Sequence, residues 1–404
     1  MSAPHRARRL AILGSLYVAQ GIVFGFGAWI LVPTLAAGGV SLTEQTGILA
    51  LGGLPWVFKL LWGPVLDRFG GLGSGRARGF ATGAMVVMGA CLIALATRDG
   101  LVAAPRTVAG LWLLLNAAMS LQDVSTDALV IDLVPPAERG LTNGVLLGGH
   151  HLGAEGIGGL ALGMLVASRG MAAALWAQAV IMLLLAGLPH WLPRVEAGRG
   201  ATRPSLLDAL LALLRTPGAL RVAVLTAVIM SADVLTSAVA AEFWVQELGW
   251  SVERMSTTLV PLLLVVSLLG YAAATVVVDR LGHGRSAALA SGGLGSLWVA
   301  FGLVPALWSS DAFMMVFVTI QGVITAVLTV GLHARLMDAT EPTLRASHFA
   351  VLMALYNLPR AAVVPAAPSL LEALGFPGLF VACGAFQLLM VVGLRLAGLT
   401  APAR

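Results

Sequence analysis

Charge is scarce in this chain. Only 11% of its 404 residues are Asp, Glu, Lys or Arg, while 58% are hydrophobic. A soluble domain carries about 25% charged residues. The shortage excludes an ordinary soluble fold, which could not hide so much apolar surface, and makes lipid the expected solvent. The mean hydropathy of +0.92 agrees. Cysteine is nearly missing: Cys91 and Cys383 both fall inside apolar blocks, which excludes a disulfide framework. No GxxxxGK[ST] run occurs, which argues against an ATP-driven engine. Metal-ligand spacing and nucleophile constellations are missing too, so no metal, no cofactor and no enzymatic chemistry are expected.

What is present is basic and apolar. The net charge of +5 would fit a nucleic-acid partner if the cations shared one face. They recur instead in short gaps between apolar blocks, which is a membrane topology signal, and no nucleic acid is expected. Arg6, Arg8 and Arg9 precede an apolar run from Leu10 to Leu35. That run is too long for a signal-peptide core and long enough to span, so it predicts a first helix with a cytoplasmic N-terminus.

A span needs roughly 20 apolar residues. Twelve such stretches occur: 10–35, 44–66, 79–97, 106–132, 140–167, 171–192, 219–241, 255–278, 286–307, 312–337, 346–370 and 376–397. An even number places both termini on the cytoplasmic side. With that orientation 18 of the 24 Lys and Arg lie inside and four lie outside; Lys59 and Arg360 lie within spans. This asymmetry is the positive-inside rule. The longest gap, 193–218, opens as a Pro/Gly/Arg linker and then reads "SLLDALLALLR", a short amphipathic helix for the membrane surface. The predicted fold is an all-α membrane protein of twelve transmembrane helices in two six-helix bundles, residues 1–192 and 219–404, joined by the 193–218 linker.

The two halves repeat. Asp67-Arg68 and Asp279-Arg280 follow the second and eighth spans, 212 residues apart, and Arg139 and Arg345 are 206 apart. Parallel repeats of six spans are the architecture of the major facilitator superfamily. The two "DR–G–GR" loops resemble that superfamily's signature loop, which implies a cytoplasmic gate; the alternative role is a topology determinant alone. "LPWVFKLLWGPVLDRF" (54–69) and "QDVSTDALVIDLVPPAERGLTNGVLLGGHHLGAEGIGGLALG" (122–163) resemble the peptide/acetyl-coenzyme A transporter branch. That branch includes AmpG-type muropeptide permeases and related siderophore permeases. The matching pieces are Phe58-Lys59, Trp62, Pro64, Asp67-Arg68-Phe69, Gln122-Asp123, Asp127-Ala128 and Glu138-Arg139-Gly140. A chain of this length has no room for the extra spans of AmpG-type permeases, and its size is closer to the siderophore permeases.

Charged residues at mid-bilayer cost about 2.5–3.5 kcal/mol each on insertion scales, so those present need a partner or a water-filled path. Lys59 lies ~12 Å from the cytoplasmic edge, and Asp127 and Asp123 lie ~8 and ~14 Å from it. The two carboxylates share one helix face, within reach of Lys59. Two nearby carboxylates in low dielectric cannot both ionise easily, so one is a proton site for symport. The alternative is a permanent Lys59 pair plus a helix-bonding Asp. On this reading Asp123→Asn loses proton-driven accumulation but keeps exchange. Asp132 sits ~140° around the helix from Asp127 and belongs with Asp67, Arg68, Arg139, Asp279, Arg280 and Arg345 as the cytoplasmic gate.

His150, His151 and Glu155 lie mid-membrane in the fifth span and are further proton-coupling candidates; a buried, bonded pair is the alternative. Eight glycines in the same span, Gly144 to Gly163, point to tight helix packing. Arg360, ~22 Å along the eleventh span, can grip a carboxylate bidentately, or pair internally with Asp233 or Glu155. Pro359 and Pro365 are placed to break that helix. Gln20, Asn116, Gln122, Gln321 and Asn357 are candidate cavity lining, with Lys59 and Asp233. The span-five proline motif of drug antiporters is missing, which argues against drug export. The expected protein is a monomeric secondary transporter of a bacterial-type inner membrane. It uses the proton gradient to take up a small anionic or zwitterionic molecule, siderophore or muropeptide-like. A proton-driven exporter and a receptor that has lost transport are the competing classes, separated by vesicle flux measurements.

Overall fold

The structure is a computed structural model that describes residues 3–62, 74–98, 100–135, 138–193, 206–340 and 345–396. Among the described residues all regular structure is helical. Helix α1 covers residues 3–37 and widens into a π turn over Gly27–Leu31. Helix α2 runs over Leu42–Val57 and tightens to a 3-10 turn at Phe58–Leu61. Then come α3 (Ser74–Ala96), α4 (Pro105–Leu133), α5 (residues 139–169, with a π segment at Leu152–Ala161) and α6 (Met171–Leu185). The short α7 is Leu206–Arg215. It is followed by α8 (219–247), α9 (252–281, with a π turn at Met255–Leu259), α10 (His283–Leu303) and α11 (Asp311–Asp338). Last are α12 (Arg345–Ala362) and α13 (Ala367–Leu396).

Nine described stretches are long and apolar enough to cross a membrane. One of them, His348–Leu396, has 49 residues, ~74 Å of helix at ~1.5 Å per residue, against a hydrocarbon core of ~30 Å. It holds two crossings, broken at Gly375, where φ is +63° and Pro377 follows. Only glycine takes that left-handed conformation without strain. Helices α2 and α4 complete the twelve. Helix α4 is the less apolar because it carries Asp123, Asp127 and Asp132.

The chain divides into two compact units. Unit 1 is Met1–Val40, Leu51–Arg203 and Ser251–Pro261; unit 2 is Ser41–Ala50, Pro204–Trp250 and Leu262–Arg404. The two interchanged pieces begin alike. Ser41 Oγ accepts from the Glu44 N–H (3.3 Å) and Ser251 Oγ from the Arg254 N–H (3.1 Å). Each serine thus satisfies a backbone donor at the start of its helix, and the two lie 210 residues apart. This is a third correspondence between the halves.

Lipid offers no hydrophobic drive between helices, so close backbone approach through small residues holds them together. In unit 1, α1 and α5 meet this way: a Cβ on Gly21 would overlap the His150 carbonyl, one on Gly25 the Ala154 carbonyl, and one on Gly153 the Val18 carbonyl. The glycines of α5 divide by face. Gly149, Gly153 and Gly158 meet α1; Gly163 meets Ser256; Gly144 and Gly148 face open space. In unit 2, Gly295 of α10 and Gly384 of α13 approach reciprocally. A stack of rings fills the same unit, with Phe301 and Phe317 at 3.7 Å between centroids. Helix α7 packs against α12 and leaves Leu207, Leu210 and Leu214 exposed at helical spacing, the stripe of a surface helix.

Candidate functional site

Helix α4 presents Asn116, Ser120, Asp123 and Asp127 at steps of four, three and four residues, which puts all four on one face. Each has a partner in unit 1. Trp56 Nε1 donates to Asn116 Oδ1 (3.2 Å) and Trp62 Nε1 to Ser120 Oγ (2.7 Å). Lys59 Nζ lies 3.3 Å from Asp123 Oδ2. The Tyr17 hydroxyl donates to Asp127 Oδ1 at 2.8 Å. On the neighbouring flank Gln20 Nε2 donates to Gln122 Oε1 (2.6 Å), while Gln122 Nε2 bonds the Leu16 carbonyl and Thr126 (3.2 Å each). Asp123, Gln122, Gln20 and Asn116 are buried.

The cluster has one ammonium for two carboxylates. Asp123 holds the ammonium directly; Asp127 is held by a neutral phenol. The three groups sum to −1 with Asp127 ionised and to zero with a proton on it. Tyr17 is the partner that sequence reasoning missed. It lies three residues before Gln20, so a polar face of α1 was the available signal.

Helix α5 carries a separate pair. His151 Nδ1 is 3.4 Å from Glu155 Oε2, one turn on, at the start of the π segment. The His150 ring lies 5.6 Å from Phe24. π turns inside α-helices cluster at functional sites, and this ten-residue π segment lies where α5 meets α1.

In unit 2, Asp233 of α8 lies within electrostatic reach of Arg360 on α12. Arg360 Nη1 donates to Asn357 Oδ1 at 2.8 Å. Tyr356 lies beside them, with the His333 ring at 4.6 Å. Helix α12 contains Pro359, ends at Ala362, and gives way to a 3-10 turn at Val364–Ala366. Gln321 is engaged elsewhere, accepting from Trp298 Nε1 at 3.4 Å.

Of the expected gate residues, Asp67 and Arg68 lie outside the described residues, as do the side chains of Arg139 and Arg345. Asp279 and Arg280 are exposed in the last turn of α9, and Asp132 is partly buried in the last turn of α4. Two ion-pair clusters at these ends were not anticipated. Arg9, fully buried, pairs with Glu138 and donates to the Leu133 carbonyl, with Arg6 3.6 Å from Glu138. His283 Nδ1 is 2.7 Å from Asp338, which also meets Arg335 at 3.6 Å. Asp132 and Asp338 are 206 residues apart, so the repeat offset could have found Asp338.

Twelve apolar helices in two repeat-related units, with buried or half-buried ionisable residues in each, define a multi-pass membrane transporter. Residues 17–297 match the Major Facilitator Superfamily, and the chain belongs to it. It is similar to the anhydromuropeptide permease of Escherichia coli (strain K12), 29% identical over 177 residues, which is 43% of this chain and 35% of the relative. The match therefore spans about a third of the length of that curated relative. Solved structures with the same fold include a POT family transporter in complex with a thioalcohol conjugated peptide (13% identity, 96% of each chain, TM-score 0.76). Others are a D-xylose-proton symporter (14%, 97% of each chain, 0.73) and the nucleoside transporter NupG (12%, 96% of this chain and 98% of that one, 0.72). The family is one of transporters of small organic molecules, not of enzymes.

Proposed function

We propose that the chain is a proton-coupled symporter that takes up an anionic or zwitterionic organic molecule, siderophore or muropeptide-like, by alternating access. The observation that carries this reading is the one-to-two charge ratio on α4. Lys59 compensates Asp123, whereas Asp127 has a phenol in place of a cation. A carboxylate in low dielectric without its own cation is the group that gains most from taking a proton. It becomes the coupling site, and the choice between the two aspartates moves from Asp123 to Asp127. The anhydromuropeptide permease relative supports a muropeptide-like substrate. Both termini lie in the cytoplasm of a bacterial-type inner membrane, and the protein works as a monomer.

The test is accumulation in proteoliposomes under an imposed pH gradient, with anhydromuropeptide, a ferric siderophore and small peptides as probes. Wild type accumulates one of them when the outside is acidic. Asp127→Asn exchanges it across the membrane without accumulating it. Accumulation only with the gradient reversed would assign an exporter instead.

A further inference from the structure

We infer that unit 2 recognises the two opposite charges of a zwitterion, Asp233 taking an ammonium group and Arg360 a carboxylate. The inference rests on the transporter reading above and names the substrate class of its cavity. Helix α12 packs along α8, so the two helices bring Asp233 and Arg360 into one region within electrostatic reach of each other. Among the described residues, however, no ion pair joins them within the 4.0 Å that defines one. The contrast with unit 1 is direct. There the acid and base close to 3.3 Å; here the charges stay apart, and the guanidinium bonds the neutral Asn357 amide.

Opposite charges half-buried near one another but not closed leave part of their lost hydration unreplaced. A ligand with one cation and one anion replaces it at both ends. A simple anion would satisfy Arg360 and be repelled by Asp233; a simple cation would do the reverse. The pair therefore selects against singly charged molecules of either sign. The surroundings suit such a ligand. Tyr356 and Tyr271 lie within electrostatic reach of each other, and Tyr356 of both charges, so phenols border the pair, with the His333 ring 4.6 Å from Tyr356. The 3-10 turn at Val364–Ala366, just beyond Arg360, leaves backbone carbonyls of α12 outside the regular ladder. Amino acids and short peptides share the ammonium–carboxylate chemistry and differ in the spacing of the two ends.

Thermal unfolding of the purified full-length protein in detergent tests this without a proton gradient. The probes are alanine, dialanine and trialanine, each free, N-acetylated or C-amidated. One free form is expected to raise the unfolding midpoint, and each capped form to bind about tenfold or more weakly. Which free form protects best separates amino acid from peptide. Asp233→Asn is expected to bind free and N-acetylated forms alike, and Arg360→Gln to bind free and amidated forms alike. Equal protection by free and capped probes in wild type, or protection by none, would overturn the inference. It would also fall if each single variant destabilises the protein, the double variant restores stability, and peptide binding is unchanged, for then the charges are an internal pair. Zwitterion binding without proton-driven uptake would sink the symport reading alone. Proton-driven uptake of a purely anionic probe, with no peptide response, would sink this inference alone.

Discussion

Asp123 and Asp127 share one face of α4 but have different partners, and their substitutions are expected to fail differently. Asp123→Asn leaves the Lys59 ammonium, 3.3 Å away and largely buried, without its direct partner and with only the more distant Asp127 to balance it. Breaking a buried pair from one side costs about 3–5 kcal/mol, so the variant should unfold earlier, while Lys59→Met with Asp123→Leu should recover most of the loss. Thermal unfolding of the three proteins checks this; a stable single variant would contradict the pairing. Tyr17→Phe removes one hydrogen bond from the ionised form of Asp127. The pH dependence of uptake is then expected to move to higher pH, because the carboxylate holds its proton more readily. An unmoved profile would separate Tyr17 from coupling. The spacing of 123 and 127 made their shared face legible, and depth along the helix made Lys59 their neighbour. Tyr17 was not legible, because its contact depends on the rotation of α1 against α4, which a pattern within one helix does not encode.

At the scale of elements, the crossings were legible from apolar length alone, since ~30 Å of hydrocarbon demands it. The π segments at Gly27–Leu31, Leu152–Ala161, Phe243–Glu247 and Met255–Leu259 were not, because inserting one residue into a helical turn leaves composition unchanged. The glycines of α5 were visible as a group, but not which of them face a neighbour. Gly25→Ala pushes a methyl into the Ala154 carbonyl, whereas Gly148→Ala meets nothing within 4 Å. Gly25→Ala is expected to lose about 1–3 kcal/mol or more. Gly148→Ala should be neutral or slightly stabilising, since alanine favours the helix. Unfolding midpoints of the two variants compare them directly, and equal midpoints would contradict the α1–α5 contact.

At the scale of the whole molecule, the offset of 206 to 212 residues between matching loops makes the internal repeat legible in the sequence. The structure adds the paired serine caps at 41 and 251. The grouping of 41–50 with unit 2 and of 251–261 with unit 1 is tertiary and left no trace in composition. The cation asymmetry of the sequence predicts both termini in the cytoplasm. Cys91 and Cys383 are buried and free, so replacing both with serine or alanine gives a background for single cysteines at either end. Labelling from the cytoplasmic side only is expected, and labelling of either end from outside would reverse the topology. The most direct test of proton coupling through Asp127 is the internal pH of proteoliposomes as substrate is added outside, with no gradient imposed. Wild type should acidify its lumen on addition of the transported probe, and Asp127→Asn should not, while still exchanging labelled probe. Equal acidification by Asp127→Asn, or alkalinisation by wild type, would contradict it.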